Sequence, residues 1–149
     1  MSADSIRQIF RLQQERVKVY AKFDKGYTSY LTSQPRDFVT YRQLVNDVTQ
    51  EFNKISRQIR AAETELTKSG QSDIALLVRN LQEEEKRKLE LTARSHIAKQ
   101  EAADAGESWE ESDVIAQLTS ELRRVVEKIN ECLDEIKYEA EDLLVNDDE

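Results

Sequence analysis

Apolar residues recur at steps of three and four along most of this chain, and an alternation by two is almost absent. The longest unbroken series is Phe38, Tyr41, Val45, Val48, Phe52, Ile55, Ile59, Ala62 and Leu66, which winds one seam down one face of a helix. The spacing predicts a helix over 37–68, about 45 Å long at the helical rise, and a seam of that length has to be buried against other helices. A second regular series runs through Ile115, Leu118, Leu122, Val125, Ile129, Cys132, Ile136, Ala140 and Leu143 and predicts a helix over 109–144. Equal length and regularity make these two seams natural partners, with Ile55 and Ile129 expected on facing sides.

The remaining segments follow a looser version of the same pattern. Ile6, Phe10, Val17, Tyr20, Tyr27 and Leu31 share one broad face of a helix predicted over 5–31, starting after a cap at Asp4 or Ser5. Gly26 lies inside it and predicts a local bend or a loosened end. Ile74, Leu77, Val78, Leu81, Leu89 and Leu91 mark a helix over 73–104 capped by Ser72. Its middle is the charged run Glu83-Glu84-Glu85-Lys86-Arg87-Lys88, in which Glu84 and Lys88, like Glu83 and Arg87, stand at the favourable i to i+4 spacing. Charges displace the seam there, so this helix should be the weakest packed and should fray around Ala102 to Gly106.

Turn signals divide the four segments. Pro35 disfavours helical geometry at Gln34 and leaves Asp37 to cap the next helix. Gly70 can take the left-handed conformation that closes a helix. Ser108 with Glu111 forms a capping box ahead of the last segment, with Ser112 a competing start. Short links between long helices predict an all-α fold: one elongated antiparallel bundle of four long helices with coiled-coil-like seams, a single domain over 1–149 ending in an acidic tail at 146–149.

Composition refines that picture. Three Gly and one Pro leave little material for turns, and charged residues at 35 % suit long exposed helices rather than a sheet. No apolar run approaches the length of a membrane span and the start lacks a leader pattern, so no membrane partner and no secretion are expected. The lone Cys132 suits a reducing compartment. Charge is divided unevenly: residues 1–68 hold 12 Lys and Arg against 8 Asp and Glu, whereas residues 69–149 hold 10 against 22. Such halves either flank each other inside one bundle or present a bipolar surface to partners of opposite sign.

Candidate chemistry is sparse. The sole histidine, His96, has Ala93 three residues before it, so the helical Glu-x-x-His ligands of a di-iron bundle are missing. No phosphate-binding glycine loop occurs and no Ser or Cys has a base placed by sequence, so no catalytic residue, metal site or cofactor is expected. Cys132 reads as a small core residue and Trp109 as a packing anchor. One surface feature stands out: Arg7, Arg11, Lys18, Lys22 and Lys25 fall within about 60° of one another, opposite the apolar face of the first helix. That stripe is either an ordinary solvated face or a surface for a partner or for phosphates.

Several runs carry a resemblance. Leu12-Gln13-Gln14-Glu15-Arg16, Tyr41-Arg42 followed by Val48-Thr49-Gln50-Glu51-Phe52, Leu81-Gln82 followed by Lys88-Leu89-Glu90-Leu91-Thr92, and Ile129-Asn130-Glu131 through Tyr138 to Leu143 resemble the required-for-excision B-type family of DNA repair proteins, from about Ile6 to Leu143. The resemblance implies a role in excision of damaged DNA as an accessory or adaptor protein, nuclear (otherwise cytoplasmic), with protein partners in the repair machinery. It implies no catalytic signature. Two alternatives stand beside it: a structural coiled-coil subunit of another intracellular complex, and a weak nucleic-acid binder using the first-helix stripe, which the net charge of −8 disfavours.

Overall fold

The computed structural model describes residues 2–147, with no side-chain description at 146 and 147. Its elements are α1 (Ser2–Thr32), α2 (Phe38–Lys68), α3 (Ser72–Asp104), a single 3-10 turn (Trp109–Glu111), α4 (Asp113–Glu139) and α5 (Glu141–Asp147). No strand occurs among the described residues, and the fold is an all-α bundle with four long helices. Of the acidic end at 146–149, Asp148 and Glu149 lie outside the described residues.

Helix ends follow local hydrogen bonding. Asp37 caps α2 by accepting the Thr40 N–H at 3.1 Å and the Thr40 hydroxyl at 2.6 Å, and these bonds hold its carboxyl below its ordinary value. At the other end Gly70 has φ +83°. There the Gln71 N–H donates to the Leu66 carbonyl at 2.8 Å and the Gly70 N–H to that of Thr67 at 3.2 Å, a Schellman closure. The same closure ends α3: Gly106 has φ +70° and the Glu107 N–H reaches the Ala102 carbonyl at 2.8 Å. The expected fraying at 102–106 is therefore replaced by a hydrogen-bonded stop, reinforced by Arg36 paired with Asp104 at 2.8 Å.

Several expected boundaries move. α1 begins at Ser2 and takes Asp4 into its first turn rather than using it as a cap. Ser72 is the first residue of α3, and Gln71 holds the cap position without a side-chain bond. Ser108 caps only the 3-10 turn, whereas Ser112 accepts the Ile115 N–H and starts α4. Gly26 does not end α1, which continues to Thr32. It lies where α1 meets α2, and a Cβ placed there would overlap the Leu44 side chain.

The long helices run up, down, up, down. α2 packs antiparallel between α1 and α3, α4 packs along α3, and α5 returns to α1. α1 and α3 also touch across the middle of the bundle. α2 and α4 occupy opposite corners and do not approach, so Ile55 and Ile129 are both buried, at 4 % and 5 % exposure, without facing each other. Each seam meets a central partner instead. The buried face of α1 holds Ile6, Ile9, Leu12, Val19, Phe23 and Tyr27, and Val17, expected in the seam, is 56 % exposed. On α2 the core begins at Val48, with Phe38 outside it. α3 is not the weakest-packed helix: Leu81, Leu91, Ser95 and Ala98 are buried, and so is Glu85.

Candidate functional site

The charged middle of α3 holds the most unusual chemistry in the molecule. Gln13 and Arg16, one turn apart on α1, point at Glu85, and all three are at least nine-tenths buried. The Gln13 amide donates to Glu85 Oε1 at 2.6 Å, and Arg16 Nε stands 3.8 Å from Glu85 Oε2. The rest of the guanidinium is spread over three acceptors: Gln13 Oε1 at 3.0 Å, Gln82 Oε1 at 2.6 Å and Ser56 Oγ at 3.3 Å. One cation thus ties α1 to α2 and α3, using the planar fork of donors that a lysine lacks. Burial pulls the Arg16 guanidinium below its ordinary value, and the Glu85 carboxylate opposes that pull.

Tyr20 and Lys88 extend the layer. The Tyr20 hydroxyl donates to the Glu85 carbonyl at 3.5 Å, and Lys88 Nζ sits 4.0 Å over the Tyr20 ring. Burial pushes the Tyr20 phenol far up, with the Glu85 charge adding to it. A cavity of about 340 Å³ opens beside these groups, lined by Arg16, Tyr20, Ser56 and Gln82 and by Arg60 and Lys86 at its edge. Buried Glu85 Oε2 accepts no hydrogen bond and meets only the Arg16 guanidinium, at 3.8 Å, while the remaining bonds of this layer favour one helix register. The sequence signal for it was Arg16 falling on the apolar face of α1, opposite the exposed stripe.

A second buried polar group lies further along, one to two turns past Tyr20 on α1 and about three turns past Glu85 on α3. His96 Nε2 stands 3.0 Å from Asp24 Oδ1, and its ring stacks on Tyr27 at 4.0 Å between centroids. The Tyr27 hydroxyl donates to the His96 carbonyl. Burial raises the Tyr27 phenol to about 12, with Tyr41 and Tyr30 contributing. Among the described residues no three His, Cys, Asp or Glu side chains are arranged to hold a metal ion. Cys132 is half-buried beside the core, and burial together with Glu135 pushes its thiol up. Trp109 packs against Ala98, Ala102 and Ile115, with Lys99 Nζ 4.9 Å over its ring.

The basic stripe of α1 is entirely exposed, but much of its charge is answered by carboxylates. Arg11 pairs with Glu15 at 3.1 Å and Lys22 with Glu51 of α2 at 3.0 Å. Arg7 lies 3.9 Å from Asp4 and donates to the Leu144 carbonyl at 3.4 Å, tying α1 to α5. Lys18 and Lys25 make no ion pair among the described residues, and Lys18 lines a groove between α1 and α2 with Arg11 and Lys54. The five side chains are therefore spread over about 27 Å of helix at the helical rise rather than gathered at one point.

Residues 4–99 match the DNA repair REX1-B family, a range that takes in nearly all of α1, the whole of α2 and most of α3, including the Arg16–Glu85 layer. The chain belongs to the DNA repair REX1-B family. Its relatives extend the likeness through α4: a mouse protein named required for excision 1-B domain-containing protein is 34 % identical over 141 residues, covering 93 % of this chain and 81 % of that one. The bovine protein of the same name is 32 % identical over 138 residues, covering 91 % and 75 % respectively. A fission yeast relative, heterochromatin silencing protein rss1, is 27 % identical over 139 residues, covering 91 % of this chain and 98 % of its own length. No solved structure matches this REX1-B chain. No helix among the described residues is long and apolar enough to cross a membrane.

Proposed function

We propose that this REX1-B protein is a non-enzymatic accessory factor of DNA excision repair that works in the nucleus by contacting proteins of the repair machinery. The family match over 4–99 carries the reading. The nuclear setting draws further support from the relative named for heterochromatin silencing. The buried ionisable groups fit this reading, because Arg16, Glu85 and Tyr20 bind one another and the backbone, which holds three helices in register. Surfaces then remain as the means of action. Cells lacking the protein should clear ultraviolet photoproducts more slowly, since an accessory factor changes assembly or abundance of the machinery rather than making the cut. Normal clearance in those cells would remove the repair reading and leave a structural helical subunit of some other complex.

Direct contact with DNA is a second reading, and Lys18, which makes no ion pair among the described residues and shares a groove with Arg11 and Lys54, favours it. Phosphate binding by this face predicts an affinity that falls linearly in log-log terms with salt, with a slope set by the number of phosphates neutralised. The net charge of −8 works against it. Gel-shift titration at two salt concentrations should give weak binding at most, and tight binding abolished by Arg11→Glu, Lys18→Glu and Lys22→Glu would reverse the preference for a protein adaptor.

A further inference from the structure

Three large apolar side chains stand in water near one end of the bundle: Leu76 on α3 at 56 % exposure, Tyr138 on α4 at 76 % and Val145 on α5 at 54 %. They belong to two adjoining depressions. The first, about 660 Å³, is bordered by Leu76, Leu77 and Tyr138, and the second, about 470 Å³, by Tyr138, Leu144 and Val145. Tyr138 is common to both. Aromatic side chains of this kind, half rigid apolar body and half hydroxyl, are the usual anchors of protein interfaces. Asp73, Asp134, Glu135 and Glu139 border the first depression and Glu141 the second, against a single cation, Lys137. All five carboxylates are exposed, and none of them has an ion pair among the described residues.

We infer that this face receives a basic amphipathic helix from a partner protein. The inference rests on the adaptor reading and names the chemistry of the partner that reading requires. Charge decides between occupants. A second copy of this chain would bring the same five carboxylates against their like, and nucleic acid would be repelled outright, whereas Lys and Arg flanking an apolar stripe would be attracted from a distance and paired at the rim. Shape points the same way. A shallow trough between helices accepts a helix laid on its apolar face, and the described residues offer no sheet edge to which an extended segment could add. Tyr138 on α4 and Val145 on α5 flank the break at Ala140, so the apolar positions line a trough across two helix ends, which suits apolar side chains spaced along one face of a docked helix.

The test uses the purified full chain and a fluorescent synthetic helix of about five turns, with leucines at i, i+3, i+4 and i+7 flanked by Lys and Arg, followed by anisotropy. Two control peptides accompany it: one of the same composition with the leucine stripe scrambled, and one with Glu in place of every Lys and Arg. The stripe-bearing basic peptide should bind best. Leu76→Ser with Tyr138→Ser should weaken it by about tenfold or more, as removal of interface anchors does. Asp134→Lys with Glu135→Lys should also weaken it and flatten its salt dependence. Every changed residue is exposed, so melting temperature should hold. Equal binding of the scrambled peptide, binding of the acidic one, indifference to both double variants, or dimerisation through this face in sedimentation would each overturn the inference. Slow photoproduct clearance in null cells together with any of those results would remove the docking face alone. Peptide binding as expected with normal clearance would remove the repair reading alone.

Discussion

Arg16 links three helices through one side chain, because its four interactions reach Gln13 on α1, Ser56 on α2 and Gln82 and Glu85 on α3. Removing one partner of a buried pair strands the other, so Arg16→Met should cost about 3 to 5 kcal/mol in urea unfolding. Arg16→Met combined with Glu85→Leu should cost much less than the single change, since no charge is then left unpaired. A single variant no less stable than the natural chain would mean the layer holds nothing. Tyr27 makes a prediction about pH. Its folded phenol titrates at about 12 against an ordinary 10, so the folded state keeps a proton that the unfolded chain releases. The stabilisation is complete below pH 10 and is lost as pH rises from 10 towards about 12. Melting temperature should decline across that window, and less steeply in Tyr27→Phe. Neither group was legible as a partner in the sequence: a helical period places Arg16 and Glu85 on their own helices but cannot say that α1 and α3 meet across the bundle.

At the scale of elements, the regular helices α2 and α4 were legible because their seams are continuous, and Gly70 marked the end of α2 by the left-handed turn it adopts. The start of α4 was ambiguous for a physical reason. Ser108 and Ser112 both offer a hydroxyl to free amides, and Ser108 is used by a 3-10 turn that packs Trp109 onto Ala98 and Ala102 before Ser112 begins the helix proper. Ser112→Ala should therefore destabilise by about 0.5 to 2 kcal/mol and Ser108→Ala by less, measured by chemical unfolding. Ile55→Asp should cost several kcal/mol by burying an unpaired charge at a position 4 % exposed. Unchanged helicity and melting of that variant by circular dichroism would show that the α2 seam is no core. By period alone the charged run of α3 reads as a loosened segment, whereas a helix that packs on three others can bury a carboxylate if arginine and glutamine meet it.

For the whole molecule, the uneven charge of the two halves resolves in two ways. Arg16 with Glu85 inside the bundle and Arg36 with Asp104 at its surface pair the first half with the second, while the surplus carboxylates of α4 and α5 remain in water around Tyr138. The all-α class and the family were readable from seams and short runs. The order in which helices touch was not, since seams of equal regularity suggest pairing of α2 with α4, and only packing shows α3 between them. Core substitutions should impair repair by lowering abundance, whereas exposed substitutions should impair it at normal abundance. The most direct measurement is photoproduct removal over time in null cells rescued, at matched protein levels, with the natural chain or with Asp134→Lys and Glu135→Lys. The account predicts slow removal in the null cells, full rescue by the natural chain and poor rescue by the charge-reversed one. Removal at the normal rate in the null cells would contradict it.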